Sequence, residues 1–596
     1  MREVSVPSLY DTPAQVNVAD VVFEYADKYG SEAAYSRRID GLWRDVTFTE
    51  FADDVLQLAR GLVAAGLQPG DRVGLMSRTR YEWGVIDFAV QAARGVVVPV
   101  YETSSEDQIE WILGSTDTRM VFVETGELAE RVDGIRAKLP DLTDIWAIDH
   151  GAVADVSATG ADVPAAAIAE LRATTDGGEN ATIVFTSGST GKPKGCQLTH
   201  ANLVSNARNA IGNLGDFIAP GSTTLLFLPL AHVFARIIQL GAFTARAKVG
   251  HEPDISALMG TLAEFRPTFL LAVPRVFEKV YNSAEQKAHN SGKGKVFDLA
   301  ARTAIAWSRA KSAGRVPLHV NVLHAVLDRL VGAKLREALG GRCRYCVSGG
   351  APLGERLGHF FRGVGIEVIE GYGMTETSPV AALNTQAYNK IGTVGRPVPG
   401  STVRLADDGE LLVKGANVFK GYWRNDDETR ATLRDGWLYT GDLATIDDEG
   451  CITITGRKKE VIVTAGGKNV APTLLEDRLR AHPLVSQCIV FGDQRPFIGA
   501  LITLDADMLP GWLRDHDLDP QMPVEEAMRH EEVRAGLQRA VDYTNKAVSR
   551  AEAIRKFDVL PGDFTQEGGQ LTPSLKLRRP AVLAEFQDDI ERLYAS

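Results

Sequence analysis

Hydrophobic and polar positions alternate along residues 49–123 in a way that predicts helices and strands in turn. Residues 49–65 and 81–93 repeat apolar side chains at the three- and four-residue spacing of an amphipathic helix. Short apolar runs that predict strands lie between and after them, at residues 73–76, 96–101 and 120–123. Strands that alternate with helices usually form a largely parallel sheet covered by helices, so we expect an α/β fold here.

The pattern changes in the second half of the chain. Short strands separated by turns predict a β-rich subdomain over about residues 392–455. Beyond it the apolar spacing predicts a small α+β unit, with strands at 487–491 and 500–504 and helices at 474–481 and 532–547. We therefore predict a large N-terminal domain over residues 1–458, built from helix-covered, mostly parallel sheets plus the β-rich subdomain, and a small C-terminal domain over residues 459–596.

Two segments are predicted from composition more than from periodicity. Residues 152–167 are rich in alanine and polar side chains, which indicates a surface loop without chemistry. Residues 269–277 form an apolar run that ends in Pro-Arg-Val-Phe, which indicates a buried strand.

Composition and charge exclude several classes of protein. The chain has 596 residues, a formal net charge of −12 and five cysteines. The negative charge argues against a general nucleic-acid or anionic-membrane binder, and so few cysteines form no disulfide framework. Cys343 and Cys346 are predicted to be structural because no second pair with metal-ligand spacing exists. The N-terminus lacks the apolar core of a signal peptide and no run of membrane-spanning length appears, so we expect a cytoplasmic protein.

Residues 279–315 differ from the rest of this acidic chain because they contain eight lysines and arginines against Glu285 and Asp298. Two interpretations are open. The charges form either a solvated helix face or an electropositive patch that meets membrane lipid or an anionic nucleotide. The second interpretation adds a peripheral membrane contact to the expected cytoplasmic location.

The clearest chemical signal is the run F-T-S-G-S-T-G-K-P-K-G at residues 185–195. It follows an apolar strand-like segment and combines three glycines with four hydroxyl side chains and two lysines. Backbone amides, hydroxyls and ammonium groups on such a loop are suited to hold phosphate. The glycine spacing differs from that of a P-loop, and no G-x-G-x-x-G opens a helix, so neither of those nucleotide sites is expected.

Further motifs follow this loop in order: E-G-Y-G-M-T-E-T at 370–377, Y-T-G-D-L at 439–443, G-R-K-K-E at 456–460, V-T-A-G-G-K-N-V at 463–470 and L-T-P-S-L-K-L-R-R at 571–579. Together they resemble the signatures of the adenylate-forming superfamily, which contains acyl-CoA synthetases, luciferases and peptide-synthetase adenylation domains. The resemblance covers nearly the whole chain. It implies that a carboxylic acid is activated with ATP and Mg²⁺, and that the small C-terminal domain is mobile.

The resemblance also implies a role for individual residues of the nucleotide site. The phosphate loop would hold the β- and γ-phosphates through Thr186, Ser187, Gly188, Ser189, Thr190, Gly191, Lys192 and Lys194. Glu376 would bind Mg²⁺ and Thr375 the α-phosphate. Tyr372 would cover the adenine, with the backbone of Gly349, Gly350 and Ala351 on its other side. Asp442 and Arg457 would bind the ribose.

The residues implied for the two chemical steps lie mostly in the C-terminal domain. Lys576 would bridge the carboxylate and the α-phosphate during adenylation, because an ammonium group is a compact positive charge. Lys459 matches the hinge, and Gly466, Gly467 and Lys468 would line the path of the pantetheine arm of coenzyme A. His232, in L-P-L-A-H-V-F, would position the acyl carboxylate without acting as a base, and the acyl tunnel would pass near Val233, Phe234 and Val273.

Within the superfamily, the T-P-S-L-K form, L-P-L-A-H and the basic insertion resemble long-chain fatty acyl-CoA ligases of the bacterial type. This implies conversion of a fatty acid, ATP and coenzyme A to acyl-CoA, AMP and pyrophosphate. Two alternatives stay open at this stage. The acyl group, from a fatty or aryl acid, could pass to a carrier protein instead, or the chain could be a binding protein without catalysis.

Overall fold

The computed structural model describes residues 2–186, 192–465, 467–572 and 576–595. Its strands are β1 Glu3–Ser5, β2 Ala33–Ile39, β3 Leu42–Thr47, β4 Arg72–Met76, β5 Val96–Val100, β6 Met120–Val123, β7 Asp144–Ala147, β8 Asn180–Thr186, β9 Lys194–Thr199, β10 Thr223–Leu226, β11 Lys248–His251, β12 Phe269–Ala272, β13 Tyr345–Ser348, β14 Glu367–Gly373, β15 Val380–Leu383, β16 Arg396–Pro397, β17 Ser401–Leu405, β18 Glu410–Gly415, β19 Gly421–Tyr422, β20 Leu433–Arg434, β21 Trp437–Ile446, β22 Ile452–Arg457, β23 Ile462–Val463, β24 Asn469–Val470, β25 Val485–Phe491, β26 Ile498–Leu504 and β27 Ile554–Leu560.

Its α-helices are α1 Asp20–Tyr29, α2 Phe48–Ala64, α3 Tyr81–Ala92, α4 Glu106–Ser115, α5 Gly126–Gly134, α6 Ala152–Thr159, α7 Ala165–Ala173, α8 His200–Leu214, α9 Val233–Thr244, α10 Leu258–Phe265, α11 Pro274–Asn290, α12 Gly294–Ser312, α13 Leu318–Leu327, α14 Ala333–Ala338, α15 Glu355–Gly363, α16 Asp426–Thr432, α17 Pro472–Arg480, α18 Leu509–Asp515, α19 Val524–Ala527, α20 Glu531–Asn545, α21 Arg579–Glu585 and α22 Gln587–Ala595. None of the helices in the described ranges combines the length and apolar character needed to cross a bilayer.

A seven-stranded sheet in the order β19-β9-β8-β5-β4-β6-β7 forms the first layer of the large domain. Strands β8, β5, β4, β6 and β7 run parallel, as the alternation of strands and helices predicts. Strands β8 and β9 form an antiparallel hairpin in which Thr186 pairs with Lys194. Both ends of the phosphate loop are therefore fixed at the sheet, while its residues Ser187 to Gly191 lie outside the described part of the chain.

A five-stranded sheet, β12-β13-β14-β15-β16, carries further motif residues at the ends of its strands. Its first three strands are parallel, so the segments after β13 and the end of β14 meet at one edge. A four-stranded sheet, β10-β11-β2-β3, lies in the same large domain. The β-rich region forms a six-stranded antiparallel sheet of β1, β17, β18, β21, β20 and β22, and it includes the N-terminal strand β1.

The C-terminal residues have their own three-stranded sheet, β25-β26-β27. Helices α17 and α20 cover it, and Leu475, Leu479, Val490, Ile502 and Leu537 form part of its buried core. The predicted strands and helices of this unit are all present, but the sequence analysis missed β27, which pairs parallel with β26. The boundary predicted at residues 458 and 459 stays a prediction.

The loop predicted over residues 152–167 is wrong. That segment contains α6, a 3-10 turn at Gly160–Asp162 and the start of α7. Val156 is buried there, as is Ile168 just beyond it in α7, and α6 packs so closely on α2 that a Cβ atom at Gly61 would lie 2.0 Å from the Val156 carbonyl oxygen. Alanine favours helix and lets neighbouring helices approach, so an alanine-rich segment forms packed helices here.

Only the first part of the strand predicted over residues 269–277 is present. Strand β12 ends at Ala272, and Pro274 begins helix α11. Proline is well tolerated in the first helical turn because its missing N–H would have no intrahelical partner there. The basic segment that follows is therefore helical, on α11 and α12.

Candidate active site

A cleft of about 2960 Å³ lies between the large domain and the C-terminal residues. Both parts of the chain contribute to its wall, and eight of the residues predicted from the motifs line it. Those that line it are Thr186, Lys192, Lys194, Glu376, Asp442, Arg457, Lys459 and Lys576.

Strand pairing builds one wall of the cleft. Asp442 on β21 pairs in register with Arg457 on β22. The Arg457 Nε lies 3.1 Å from Asp442 Oδ1, and the Tyr372 hydroxyl donates to Asp442 Oδ2 at 2.6 Å. Burial, and then the charge of Asp442, raise the pKa of Tyr372 far above its ordinary value, so this phenol stays protonated and remains a donor. Asp442 itself is 5% exposed, so its carboxylate is held in one orientation at the cleft.

Glu376 lies in a 3-10 turn, Thr375–Thr377, that begins two residues after the last residue of β14. Its side chain is buried, and its Oε1 accepts a hydrogen bond from the Tyr422 hydroxyl at 2.7 Å. Thr375 is buried beside it in the same turn. No cluster of three or more His, Cys, Asp or Glu suited to a metal occurs among the residues that the structure describes. A divalent cation at Glu376 would therefore take its other ligands from phosphate oxygens and water, which is how Mg²⁺ commonly binds beside a nucleotide.

Lys576 extends from the C-terminal residues toward the large domain. A Cβ atom built on Gly350 would lie 3.7 Å from its Cε and 4.0 Å from its Nζ. The Lys576 side chain is exposed in the open cleft. Protein atoms around its ammonium remove part of its hydration, and this desolvation, followed by the charge of Arg457, lowers the pKa of Lys576. Asp442 and Glu376 oppose that shift, so the ammonium lies in the field of both carboxylates.

Gly349, Gly350 and Ala351 follow β13 directly and lie at the same sheet edge as Tyr372 at the end of β14. Gly350 has a φ of +86°, which favours glycine, and a side chain there would project toward Lys576. Gly349 is equally constrained, because its Cβ would lie 2.8 Å from the ring of Phe234.

His232 marks a second, smaller cavity that adjoins the cleft. It caps helix α9, and its Nδ1 accepts a hydrogen bond from the Phe234 backbone at 3.1 Å. Burial, followed by the positive charge of Lys576, lowers the pKa of His232 to about 3. The ring is therefore neutral at physiological pH, which fits a positioning role better than that of a base.

The cavity beside His232 has a volume of about 140 Å³ and is lined mainly by apolar side chains, among them Phe227, Leu228, Phe234 and Val273. Lys576 lines both spaces, so its ammonium stands between this apolar cavity and the larger cleft. Phe234 and Val273 line this cavity, whereas Val233 lines a separate void with Val18 and Leu203. Their predicted place along an acyl tunnel stays a prediction.

The two lysines of the phosphate loop are engaged by protein groups. Lys194 forms an ion pair with Glu428, and the Lys192 ammonium lies 4.2 Å from the ring centroid of Trp111. Both partners belong to the cleft wall. A polyphosphate in the cleft would compete with these contacts for the two ammonium groups.

The hinge and the glycine loop after it occupy different positions. Lys459 lies in a 3-10 turn, Lys458–Glu460, that directly follows β22, and it lines the cleft. Gly466 lies outside the described residues. Gly467 and Lys468 are not among the residues that line the cleft, and Lys468 Nζ lies 3.5 Å from Glu552 Oε1. Their predicted contact with the pantetheine arm stays a prediction.

Two protein-family profiles match this chain. The profile described as "AMP-binding enzyme" matches residues 22–423, and that described as "AMP-binding enzyme C-terminal domain" matches residues 459–596. The chain belongs to the AMP-binding enzyme family.

Two similar members of the AMP-binding enzyme family are named as long-chain fatty acid–CoA ligases. The chain is 48% identical over 597 residues to "Long-chain-fatty-acid--CoA ligase FadD15" of Mycobacterium tuberculosis, and the match covers all of both chains. It is 31% identical to "Long-chain-fatty-acid--CoA ligase heimdall" of Drosophila melanogaster, over 93% of this chain and 90% of that one. The predicted family and its long-chain fatty acyl-CoA ligase branch are thus confirmed.

Solved structures confirm the predicted α/β fold. The crystal structure of the anthranilate CoA ligase AuaEII with anthranoyl-AMP matches with a TM-score of 0.74 at 20% identity, over 96% of this chain and 98% of that one. The adenylation domain of a carboxylate reductase from Mycobacterium chelonae matches with a TM-score of 0.75 at 21% identity, over 98% of this chain and 92% of that domain.

In this member of the AMP-binding family, sequence reasoning missed two polar groups of the site. Tyr422 hydrogen-bonds Glu376 but lies outside the quoted motifs. Glu102 lines the apolar cavity, and its Oε2 is buried without a hydrogen-bond partner in the described structure. Burial raises the pKa of Glu102, which favours its neutral form.

Proposed function

We propose that this chain is a long-chain fatty acid–CoA ligase. The observation that carries the proposal is the position of Lys576, between an apolar cavity and a wall that presents Asp442 and Glu376. The Lys576 ammonium would contact a carboxylate at the mouth of the cavity and also an α-phosphate in the cleft. The full-length similarity to long-chain fatty acid–CoA ligases supports the same substrates, which are a fatty acid, ATP and coenzyme A.

In the first step the acyl carboxylate oxygen attacks the α-phosphorus of ATP. An oxygen–phosphorus bond forms, and the bond to pyrophosphate breaks. Two anions must approach each other, so a positive charge at the point of contact lowers the barrier. Lys576 supplies that charge, and the neutral ring of His232 helps to orient the carboxylate. Asp442, held by Tyr372 and Arg457, binds the ribose hydroxyls and fixes the nucleotide.

Glu376 fits a role as the protein ligand of Mg²⁺, because its buried carboxylate faces the cleft and is oriented by Tyr422. When bound, Mg²⁺ neutralises charge on the phosphate oxygens. Thr375 lies in the same turn, where its hydroxyl can donate to the α-phosphate. Lys192 and Lys194 hold the phosphates that leave as pyrophosphate.

In the second step the thiol of coenzyme A loses its proton to solvent and attacks the acyl carbon. A carbon–sulfur bond forms, and the carbon–oxygen bond to AMP breaks. Lys576 occupies the space beside the acyl carbonyl, so it must withdraw before the thiol can enter. A rotation of the C-terminal domain at Lys459 would remove it and bring in Gly467 and Lys468, since short joints of this kind absorb domain motions.

The reaction is tested with Mg-ATP and a panel of carboxylic acids, with and without coenzyme A. Pyrophosphate release and acyl-CoA formation are measured separately, the latter by mass spectrometry. We expect acyl-CoA with long-chain acids. Pyrophosphate without acyl-CoA would favour transfer to a carrier protein, and neither product across the panel would favour a binding protein without catalysis.

Lys576→Ala tests the role proposed for Lys576 in adenylation. We expect it to slow adenylation by about 100-fold or more, by analogy with the loss of one charge-stabilising donor. Transfer of the acyl group from supplied acyl-adenylate to coenzyme A should be nearly unchanged. Arg578→Ala is the matched control, because Arg578 is a cation two residues away whose Nη1 donates to the Gly569 carbonyl. Equal losses in both half-reactions of the Lys576 variant would contradict its assignment.

A further inference from the structure

The small cavity beside His232 contains a carboxyl group that the proposed reaction does not use. Glu102 comes two residues after the end of β5, at the carboxyl end of the parallel strands β4 and β5. Its side chain lines the cavity together with apolar side chains such as Phe227, Phe234 and Val273. Burial of a polar group costs free energy unless a hydrogen bond compensates it, so packing alone gives no reason for a carboxyl at this position.

The carboxyl of Glu102 has unused capacity for hydrogen bonds. Its Oε2 is buried and has no partner within the described ranges of the chain. Burial raises the pKa of Glu102, its own backbone N–H opposes the shift, and the charge of Glu124 adds to it. A neutral carboxyl both donates and accepts a hydrogen bond. Rotation about its last bond, whose torsion is broad, exchanges the two oxygens, so either can turn to the cavity.

Two other polar side chains in the cavity wall are held by the protein itself. The Arg78 Nε donates to Glu124 Oε1 at 2.8 Å. The Thr79 hydroxyl donates to the Leu228 carbonyl oxygen at 2.6 Å and accepts from the Leu230 N–H at 3.2 Å. A ligand that displaced these contacts would leave buried groups unpaired, so neither side chain is expected to bind it.

The remaining polar side chains of the wall lie at its opening or are already assigned. Thr103 and Gln566 line the larger cleft as well, so they lie where the two spaces meet. His232 and Lys576 serve the acyl carboxylate in the proposed reaction. Among the described residues that line the cavity, Glu102 is therefore the polar group left to contact another part of the acid.

The size of the cavity indicates which part of the acid that is. Its volume of about 140 Å³ is below the roughly 300–1,000 Å³ of a pocket that encloses a whole drug-sized ligand. Because the Lys576 ammonium, which would bind the carboxylate, belongs to the same wall, the cavity accommodates the carboxyl end of a long acid. A polar group carried by the first carbons after the carboxylate would thus lie nearest to Glu102.

We propose that Glu102 selects long-chain acids that carry a hydroxyl group on C2 or C3. The hydroxyl donates to one carboxyl oxygen and accepts from the other, and the apolar wall contacts the methylene groups around it. An acid without the hydroxyl leaves the buried carboxyl unpaired, and a site of this kind discriminates against such an analogue. This inference rests on the proposed ligase function and names a substrate class for it.

The test compares kcat/KM for acyl-CoA formation from hexadecanoic acid and from its 2-hydroxy, 3-hydroxy and 16-hydroxy derivatives. We expect the parent chain to favour the 2-hydroxy or the 3-hydroxy acid over hexadecanoic acid by about 10-fold. The 16-hydroxy acid should show no such preference, since its hydroxyl lies at the far end. Glu102→Leu should abolish the preference and leave the rate with hexadecanoic acid unchanged or higher. Glu102→Gln should keep part of it, because an amide also donates and accepts.

Glu285→Gln is the matched control, because burial also raises the pKa of Glu285, which is not among the residues that line the cleft or the cavity. It should keep the preference of the parent chain. Unfolding temperatures equal to that of the parent establish that each variant is folded.

The inference is overturned if the parent chain uses hexadecanoic acid without preferring either hydroxy acid, or if Glu102→Leu keeps the preference. It is also overturned if Glu102→Leu raises the KM for coenzyme A and leaves the ratios among the acids unchanged, since the carboxyl would then face the path of the thiol. Activity with hexadecanoic acid keeps the ligase function intact in each of these cases, whereas no acyl-CoA from any acid would overturn both.

Discussion

At the scale of single residues, the site depends on carboxylates that are held in place by neutral donors. Asp442 receives a hydrogen bond from Tyr372, and Glu376 receives one from Tyr422. A hydrogen bond to a charged group is stronger than one between neutral groups, and it limits how the carboxylate can turn. Each tyrosine therefore helps to set the direction in which its carboxylate faces the cleft.

Tyr422→Phe tests this for Glu376. Removal of a hydrogen bond to a buried charged group typically costs about 1.5–3 kcal/mol, so we expect adenylation to slow by roughly 10-fold or more. If Glu376 holds Mg²⁺, the concentration of Mg²⁺ that gives half-maximal pyrophosphate release should rise as well. Tyr543→Phe, at an exposed tyrosine, is the control. A slower reaction with an unchanged Mg²⁺ requirement would argue against metal binding by Glu376.

The motif residues of the site could be predicted from the sequence, but their partners could not. Asp442 and Arg457 lie in quoted motifs, and strand register brings them together. Tyr422 pairs with Glu376 across 46 residues of sequence, and that contact depends on how β19 adds to the edge of the seven-stranded sheet. Periodicity reports which side of an element is buried, and it carries no information on such long-range pairings.

At the scale of elements, apolar periodicity predicted the parallel strands well and failed where small residues pack helices together. Helices α6 and α7 have few large apolar side chains, because alanine occupies many of their positions. The crossing of α2 and α6 depends on Gly61, whose missing side chain leaves room for the Val156 carbonyl. A single sequence does not reveal that this glycine faces another backbone.

Gly61→Ala tests the close contact. In an unhindered helix this change would gain about 1 kcal/mol from helix propensity. Here the new Cβ would lie 2.0 Å from one backbone atom and 2.6 Å from another, so the helices must separate. Overpacking of this kind usually costs about 1–3 kcal/mol, and we expect a lower unfolding temperature.

Gly260→Ala in α10 is the matched control, because a Cβ atom there would meet nothing within 4 Å. It should leave the unfolding temperature unchanged or raise it. If both alanine variants shift the unfolding temperature in the same upward direction, α2 and α6 are not in the close contact described.

At the scale of the whole molecule, helix α11 holds the C-terminal residues in the position that brings Lys576 to the cleft. The Arg275 Nη2 donates to Ser486 Oγ at 3.0 Å, and its Nη1 donates to the Ser486 carbonyl oxygen at 3.3 Å. Further along α11, Gln286 donates to the Asp507 carbonyl and His289 pairs with Asp515. These contacts join one side of the basic segment to the C-terminal unit.

Arg275→Ala should therefore shift the balance between the two half-reactions. The loss of two hydrogen bonds weakens the conformation in which Lys576 reaches the carboxylate, so we expect adenylation to slow by roughly 3- to 10-fold. Acyl transfer from supplied acyl-adenylate should be unchanged or faster, because the proposed mechanism uses another position of the C-terminal domain in that step. Rapid-quench measurement of each half-reaction separates the two effects. Arg38→Ala is the control, since Arg38 pairs with Glu264 at 2.5 Å within the large domain. An equal slowing of both steps would mean that Arg275 stabilises the fold generally and does not select one domain arrangement.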